Sequence, residues 1–151
     1  MPLVTTRLQN ALITDQVALV DPAKFTEAVD ALDPATSLDD LLHAAMAAYM
    51  ANERVAWIPF VHAVTGPAAV RLLLPYLDPG VTDAAVAYAW QAVGAIQSAY
   101  GRVPPMPLEP SSEPDWADLA DRAVESGDEH VIKLLEVCQR ERLPVPGSLT
   151  A

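Results

Sequence analysis

The stretch Ile58-Pro59-Phe60-Val61-His62-Ala63-Val64-Thr65-Gly66 constrains this chain more than any other. It puts an imidazole into the most apolar part of the sequence, between Trp57 and the run that leads from Pro67-Ala68-Ala69-Val70 to Leu72-Leu73-Leu74. A proline within a helix removes one backbone hydrogen bond and clashes with the carbonyl four residues back. Pro59 therefore reads as the opening of a helix, and Gly66-Pro67 as an interruption shortly after it. The spacing predicts a break beside His62 and a resumed helix over 68–76. His62 is then either a hydrogen-bonded core residue or a ligand at the junction.

The surrounding pattern is helical. Ser37 with Asp40 three residues on forms a capping box for a helix over 38–51. Leu38, Leu41, Leu42, Ala45 and Tyr49 make one stripe of it, and His43, Met46, Ala47 and Met50 make the adjacent one, so this helix is expected to be wrapped on most sides. Residues 4–20 fit a helix loosely. Pro22 after Asp21 opens a short helix carrying Phe25, Val29 and Leu32 that stops at Asp33-Pro34. Thr82 is expected to cap the longest helix, 83–100, with few solvent-facing positions and Gly101 as its terminator. Asp115 caps 116–126, Gly127 ends that helix in the left-handed conformation, and Asp128 caps the last helix to about Arg142. Between these lies a segment, 103–114, whose five prolines forbid both helix and central strand. It reads as an extended loop or a lid.

Alanine and leucine dominate the apolar fraction, which suits closely packed helices. A length of 151 residues suffices for one core. The expectation is an all-α fold: a single compact domain over 1–151 built as a bundle of about six or seven helices. Nine basic against twenty acidic residues give a net charge of −11, which argues against nucleic acid and anionic lipid as partners. No apolar run reads as long enough to span a bilayer, and no leader pattern opens the chain. Cys138, the single cysteine, reads as a buried free thiol of a reducing cytoplasm. No Gly-x-Gly-x-x-Gly, Gly-x-x-x-x-Gly-Lys or Gly-x-Ser-x-Gly is present, so a flavin or dinucleotide fold, a phosphate loop and a hydrolase elbow lack local support.

The remaining chemistry is carried by the three histidines, His43, His62 and His130, and by Lys133. On the last helix Val131, Leu134, Leu135 and Cys138 form a core stripe with His130 at its edge. Lys133 lies toward Glu129, Glu136 and Arg140, the spacing of a solvated ion-pair face. Three imidazoles on three helices are no spacing motif, although imidazole is the commonest metal ligand and sites between bundle helices recur.

Four groups of residues together carry a family resemblance. They are Phe60-x-His62-x-x-Thr65-Gly66-Pro67-Ala68, Tyr88-Ala89-Trp90-Gln91-Ala92, Ala99-Tyr100-Gly101, and Gly127-Asp128-Glu129-His130-Val131-Ile132-Lys133-Leu134 with Glu136-x-Cys138. Over 57–142 the sequence resembles the C-terminal half of the questin oxidase-like family. The resemblance implies a mostly helical protein and an oxygen-dependent oxidoreductase or monooxygenase of secondary metabolism. Such enzymes open an anthraquinone or similar aromatic polyketide in a Baeyer–Villiger-like step, with NADPH as reductant. It assigns His62, His130 and Lys133 to the site. If that site holds iron or another divalent metal, His62 and His130 would be its ligands. Lys133 would join them only if carbamylated or otherwise neutral, and His43 falls outside the matching motifs but is a further candidate. Family members carry more histidines in an N-terminal half that has no counterpart in this sequence. The alternative is therefore a non-catalytic module that binds a small ligand or docks another chain. Trp57, Tyr88, Trp90 and the twin stripes of 38–51 also lead us to expect a homodimer.

Overall fold

The computed structural model describes residues 12–31, 37–109 and 113–150. Among these the chain is all-α, as the sequence implies: seven helices and no strand, packed as a compact bundle. They are α1 (Ile13–Val17), α2 (Pro22–Ala31), α3 (Leu38–Leu73), α4 (Pro79–Tyr100), α5 (Trp116–Ser126), α6 (Glu129–Glu141) and α7 (Gly147–Thr150), with a 3-10 turn at Leu74–Tyr76. Much of the loose pattern over 4–20 and the stop at Asp33-Pro34 lie outside the described residues.

The 36 residues of α3 are a helical hairpin in all but name. Ala56 leaves the helical region, with φ −155° and ψ 56°. The cause is Pro59: an unbroken helix would need its missing N–H and would press its ring against the carbonyl of Val55. After the break, Trp57, Ile58 and Pro59 become the first turn of a second arm, where a proline is tolerated. A straight helix of this length would be roughly 54 Å long. Instead Arg71, near its end, pairs with Asp39, near its start, so the two arms run back alongside each other. The break lies at Ala56, ahead of Pro59, and the one expected at Gly66-Pro67 beside His62 is absent: the helix runs through Pro67. The second arm is held on both sides of Pro67, by Val64 and Ala68 in the core and by Arg71 at its end.

The arms face each other through Leu41, Leu42, Ala45 and Tyr49 on one side and Phe60, Val61, Val64 and Ala68 on the other. Val93 and Ile96 of α4 and Leu134, Val137 and Cys138 of α6 complete the core. Met46 and Ala47 are buried too, but His43 and Met50 are exposed, so the first arm is wrapped less fully than its twin stripes suggest. Glu141, its side chain only 6% exposed, lies between Arg71 (2.9 Å) and Arg140 and fastens the end of α6 to the second arm. α5 returns against α6 through a smaller cluster of Leu119, Ala123 and Leu135.

The caps of α3, α5 and α6 are those expected. Ser37 Oγ accepts the Asp40 N–H at 3.1 Å, Asp115 accepts from Ala117 and Asp118, Gly127 adopts φ 64°, and Asp128 accepts the His130 N–H. The start of α4 corrects the sequence reading. Asp78 is its N-cap with Pro79 in the first turn, and Thr82 lies inside the helix, its hydroxyl donating to the Asp78 carbonyl at 3.4 Å. α4 is also neither the longest helix nor a covered one. Only Ala89, Val93, Gly94 and Ile96 of it are buried, because α1, α2 and α3 take one side and leave Val81 and Tyr88 to solvent.

By length and composition the span Leu38–Tyr76 is apolar enough to cross a membrane, its mean hydropathy reaching 1.3. This corrects the expectation that no run is long enough. The span is nonetheless folded back at Ala56 and is no rod of that length.

One buried side chain joins the hairpin to the Pro-rich segment. Asn52 is fully buried at the end of the first arm. Its amide donates to the carbonyls of Ala48 (3.0 Å) and Val103 (2.9 Å), and its Oδ1 accepts the N–H groups of Arg102 (2.7 Å) and Val103 (3.0 Å). Both donors and both acceptor sites are thereby used. Gly101, which ends α4, stands so close to the Gln97 carbonyl that a Cβ would lie 2.5 Å from its oxygen. Asn52→Ala strands the N–H groups of Arg102 and Val103, and is expected to lower stability by about 3 kcal/mol. Chemical denaturation followed by circular dichroism checks this, and a loss under about 1 kcal/mol would contradict it.

Candidate functional site

The second arm of α3 and α6 run side by side from the same end, and their first turns bring three rings together. His62 and His130 meet edge to face with ring centroids 5.4 Å apart, and Trp57 meets His130 at 5.7 Å. The break at Ala56 makes this possible, since it places Trp57 and His62 on an arm that starts level with the start of α6. On α6 the cap does double duty. Asp128 Oδ1 accepts the backbone N–H of His130 at 2.8 Å and lies 3.3 Å from its Nδ1, which orients the ring. The Asp128 carboxyl is held below its usual range, chiefly by that backbone bond.

His62 is half-buried, and its pKa lies below the usual 6.5. Burial is the largest cause, followed by the positive charge available to His130 and that of Lys133, while Glu129 opposes them. Lys133 lies one turn beyond His130 on α6. Its Nζ is 3.7 Å from Glu129 Oε2, and its side chain is 43% exposed. It is the surface ion pair that the helix spacing suggests, close enough for its charge to reach His62.

His62 also opens into a groove of about 370 Å³ between the second arm and α4. Ala63, Gly66, Val70, Ala85, Ala89 and Ala92 line it, and Tyr88 stands at its edge. Small side chains at the helix contact create the space: neither Gly66 nor the alanines fill it. A neutral imidazole at the wall of an apolar groove can accept a proton or a hydrogen bond that water would otherwise take.

The structure therefore brings His62, His130 and Lys133 into one neighbourhood, as the motifs imply, and leaves His43 out. His43 is exposed on the first turns of α3, donates from Nδ1 to the Asp39 carbonyl at 2.8 Å, and faces hollows under the Pro-rich segment. As a ligand shared with His62 it is thus corrected. A metal fits this arrangement poorly. Two imidazoles are present, but among the described residues no group of three or more His, Cys, Asp or Glu converges, and Lys133 is paired with Glu129 as an ammonium. Cys138 is buried and free, with its pKa pushed up to about 12 by burial, so it is a packing residue. Trp57 and Asp128 went unassigned in the sequence, although Asp-x-His at a helix start is the local signal that a cap can also hold a ring.

No protein-family model, no curated protein and no solved structure matches this chain.

The depressed pKa of His62 has a signed consequence. The folded protein resists protonating this ring, so the penalty is absent above pH 6.5 and grows as pH falls from there through the lowered value. Stability is expected to fall with acid over that window, and His62→Gln to remove that part of the loss. Lys133→Ala should cost no more than about 1 kcal/mol, as for an exposed pair, yet raise the His62 pKa by removing a neighbouring cation. An NMR titration of the imidazole C–H signals in both proteins checks the direction, and an unmoved His62 would refute the coupling.

Proposed function

We propose that this protein binds a phenolic aromatic small molecule of the polyketide type, such as a hydroxyanthraquinone, in the His62 groove. On this reading it acts on that ligand as an oxygen-dependent oxidoreductase related to questin oxidase-like enzymes, in the cytoplasm. The observation that carries the reading is the half-buried imidazole of His62, its pKa held below the usual value, on the wall of an apolar groove.

The chemistry follows from those parts. The groove takes planar aromatic surface out of water. His62 accepts the proton of a ligand hydroxyl, and the phenolate that forms is attracted by Lys133. His130, oriented by Asp128, limits how far the His62 ring can turn. Molecular oxygen and NADPH would be co-substrates supplied from solution, as the resemblance implies. The chain's own contribution is to bind, orient and deprotonate.

A hydroxyanthraquinone titrated into the protein should quench tryptophan fluorescence and show the red-shifted absorption of its phenolate. His62→Gln should weaken binding by about tenfold or abolish the shift. Equal binding and an equal shift in the variant would overturn the reading.

A second reading, an assembly module, is favoured by one observation. Leu72, Leu73, Tyr76 and Val81 are exposed around the α3–α4 turn, Tyr76 to 85%. Such a face suits a homodimer or another chain. Light scattering at micromolar concentration separates the readings: a dimer that neither binds the quinone nor consumes oxygen with NADPH would favour the module.

A further inference from the structure

A second hollow, of about 590 Å³, lies beside Leu108, Glu109, Glu113 and Pro114, and the His62 chemistry does not use it. Its charged lining comes from different elements. Glu109 and Glu113 stand on the Pro-rich segment, Arg142 closes α6, and Gln139 and His43 contribute from α6 and α3. Trp116, Leu143 and Pro144 supply apolar surface. Among the described residues neither Glu109 nor Arg142 has an ion-pair partner. Glu113 accepts the Trp116 indole N–H at 2.7 Å through one oxygen, which fixes that ring and leaves the other oxygen for a ligand.

Arg142 adds an independent sign. It is the non-glycine residue with positive φ among the described residues, at 56°. At the corresponding place after α5 the chain uses Gly127, at φ 64°. A side chain with a Cβ in this conformation costs about 1 kcal/mol, and glycine would avoid it. Arg142 thus lines the hollow from a backbone position that glycine would take at less cost.

The lining selects among ligand classes. A metal ion is disfavoured by the guanidinium, and a plain anion by two carboxylates in a chain of net charge −11. A molecule with both charges and an apolar body satisfies each group at once. We propose that this hollow binds a free amino acid with a large apolar side chain, its carboxylate on Arg142 and its ammonium on Glu109 and Glu113.

Calorimetric titration with L-leucine, L-phenylalanine and L-tryptophan tests this in the full chain. At least one should bind. For L-phenylalanine, 3-phenylpropanoate and phenethylamine, which lack one charge each, should bind about tenfold more weakly or less. Arg142→Gly should leave the melting temperature equal or higher and weaken amino-acid binding about tenfold, and Glu109→Gln should weaken it similarly. That split separates recognition from a structural role, which would lower the melting temperature instead. No saturation by any of the three up to about 10 mM, single-charge analogues that bind as well, or unchanged affinity in Arg142→Gly would each overturn the proposal.

Discussion

The four hydrogen bonds of Asn52 hold the end of the first α3 arm to the backbone that leaves α4. Its amide is a short connector between the end of the first α3 arm and the backbone that leaves α4, and it works because it is complete. A buried amide with one unmet group would cost more than an aliphatic residue in its place. With all four met, it fixes where the extended segment begins. The close approach of Gly101 to the Gln97 carbonyl serves the same junction from the other side.

From that junction the hairpin of α3 follows. Four residues beyond Asn52 the chain turns at Ala56, and the second arm must come back along the first because Arg71 reaches both Asp39 and Glu141. The site is a by-product of this reversal. Trp57 and His62 occupy the first turns of a helix that starts beside the start of α6, so two helix beginnings bring Trp57, His62 and His130 together. A helix continuing straight through Ala56 would have carried His62 far from His130.

Much of this was legible. The class, the prolines as punctuation, and the Ser37, Asp115, Gly127 and Asp128 caps are local, because a cap or a left-handed glycine answers to its immediate neighbours. The pairing of His62 with His130 was legible only through motifs, since periodicity places each residue on a face without saying which faces meet. What failed was long-range or competitive. Gly66-Pro67 has the composition of a break, yet packing at Val64 and Ala68 outweighs it. Thr82 is a good cap, yet Asp78 followed by Pro79 starts the helix earlier. Asn52 lies just past the helix expected over 38–51 and is given no role by the sequence, because its partners lie about fifty positions away and no spacing rule connects them.

The electrostatics of the site run against those of the whole. In a chain with eleven more formal negative than positive charges, an exposed imidazole is biased toward its protonated form. His62 is shifted the other way, because burial and the nearby His130 and Lys133 act at short range, while most carboxylates act across water and salt. Salt should therefore weaken the distant anionic field more than the contact with His130. The burial contribution, being a matter of lost hydration, responds least of all. A neutral His62 is in this sense a property of the α3–α6 junction and not of composition, and it persists only while the break at Ala56 keeps the two helix beginnings side by side.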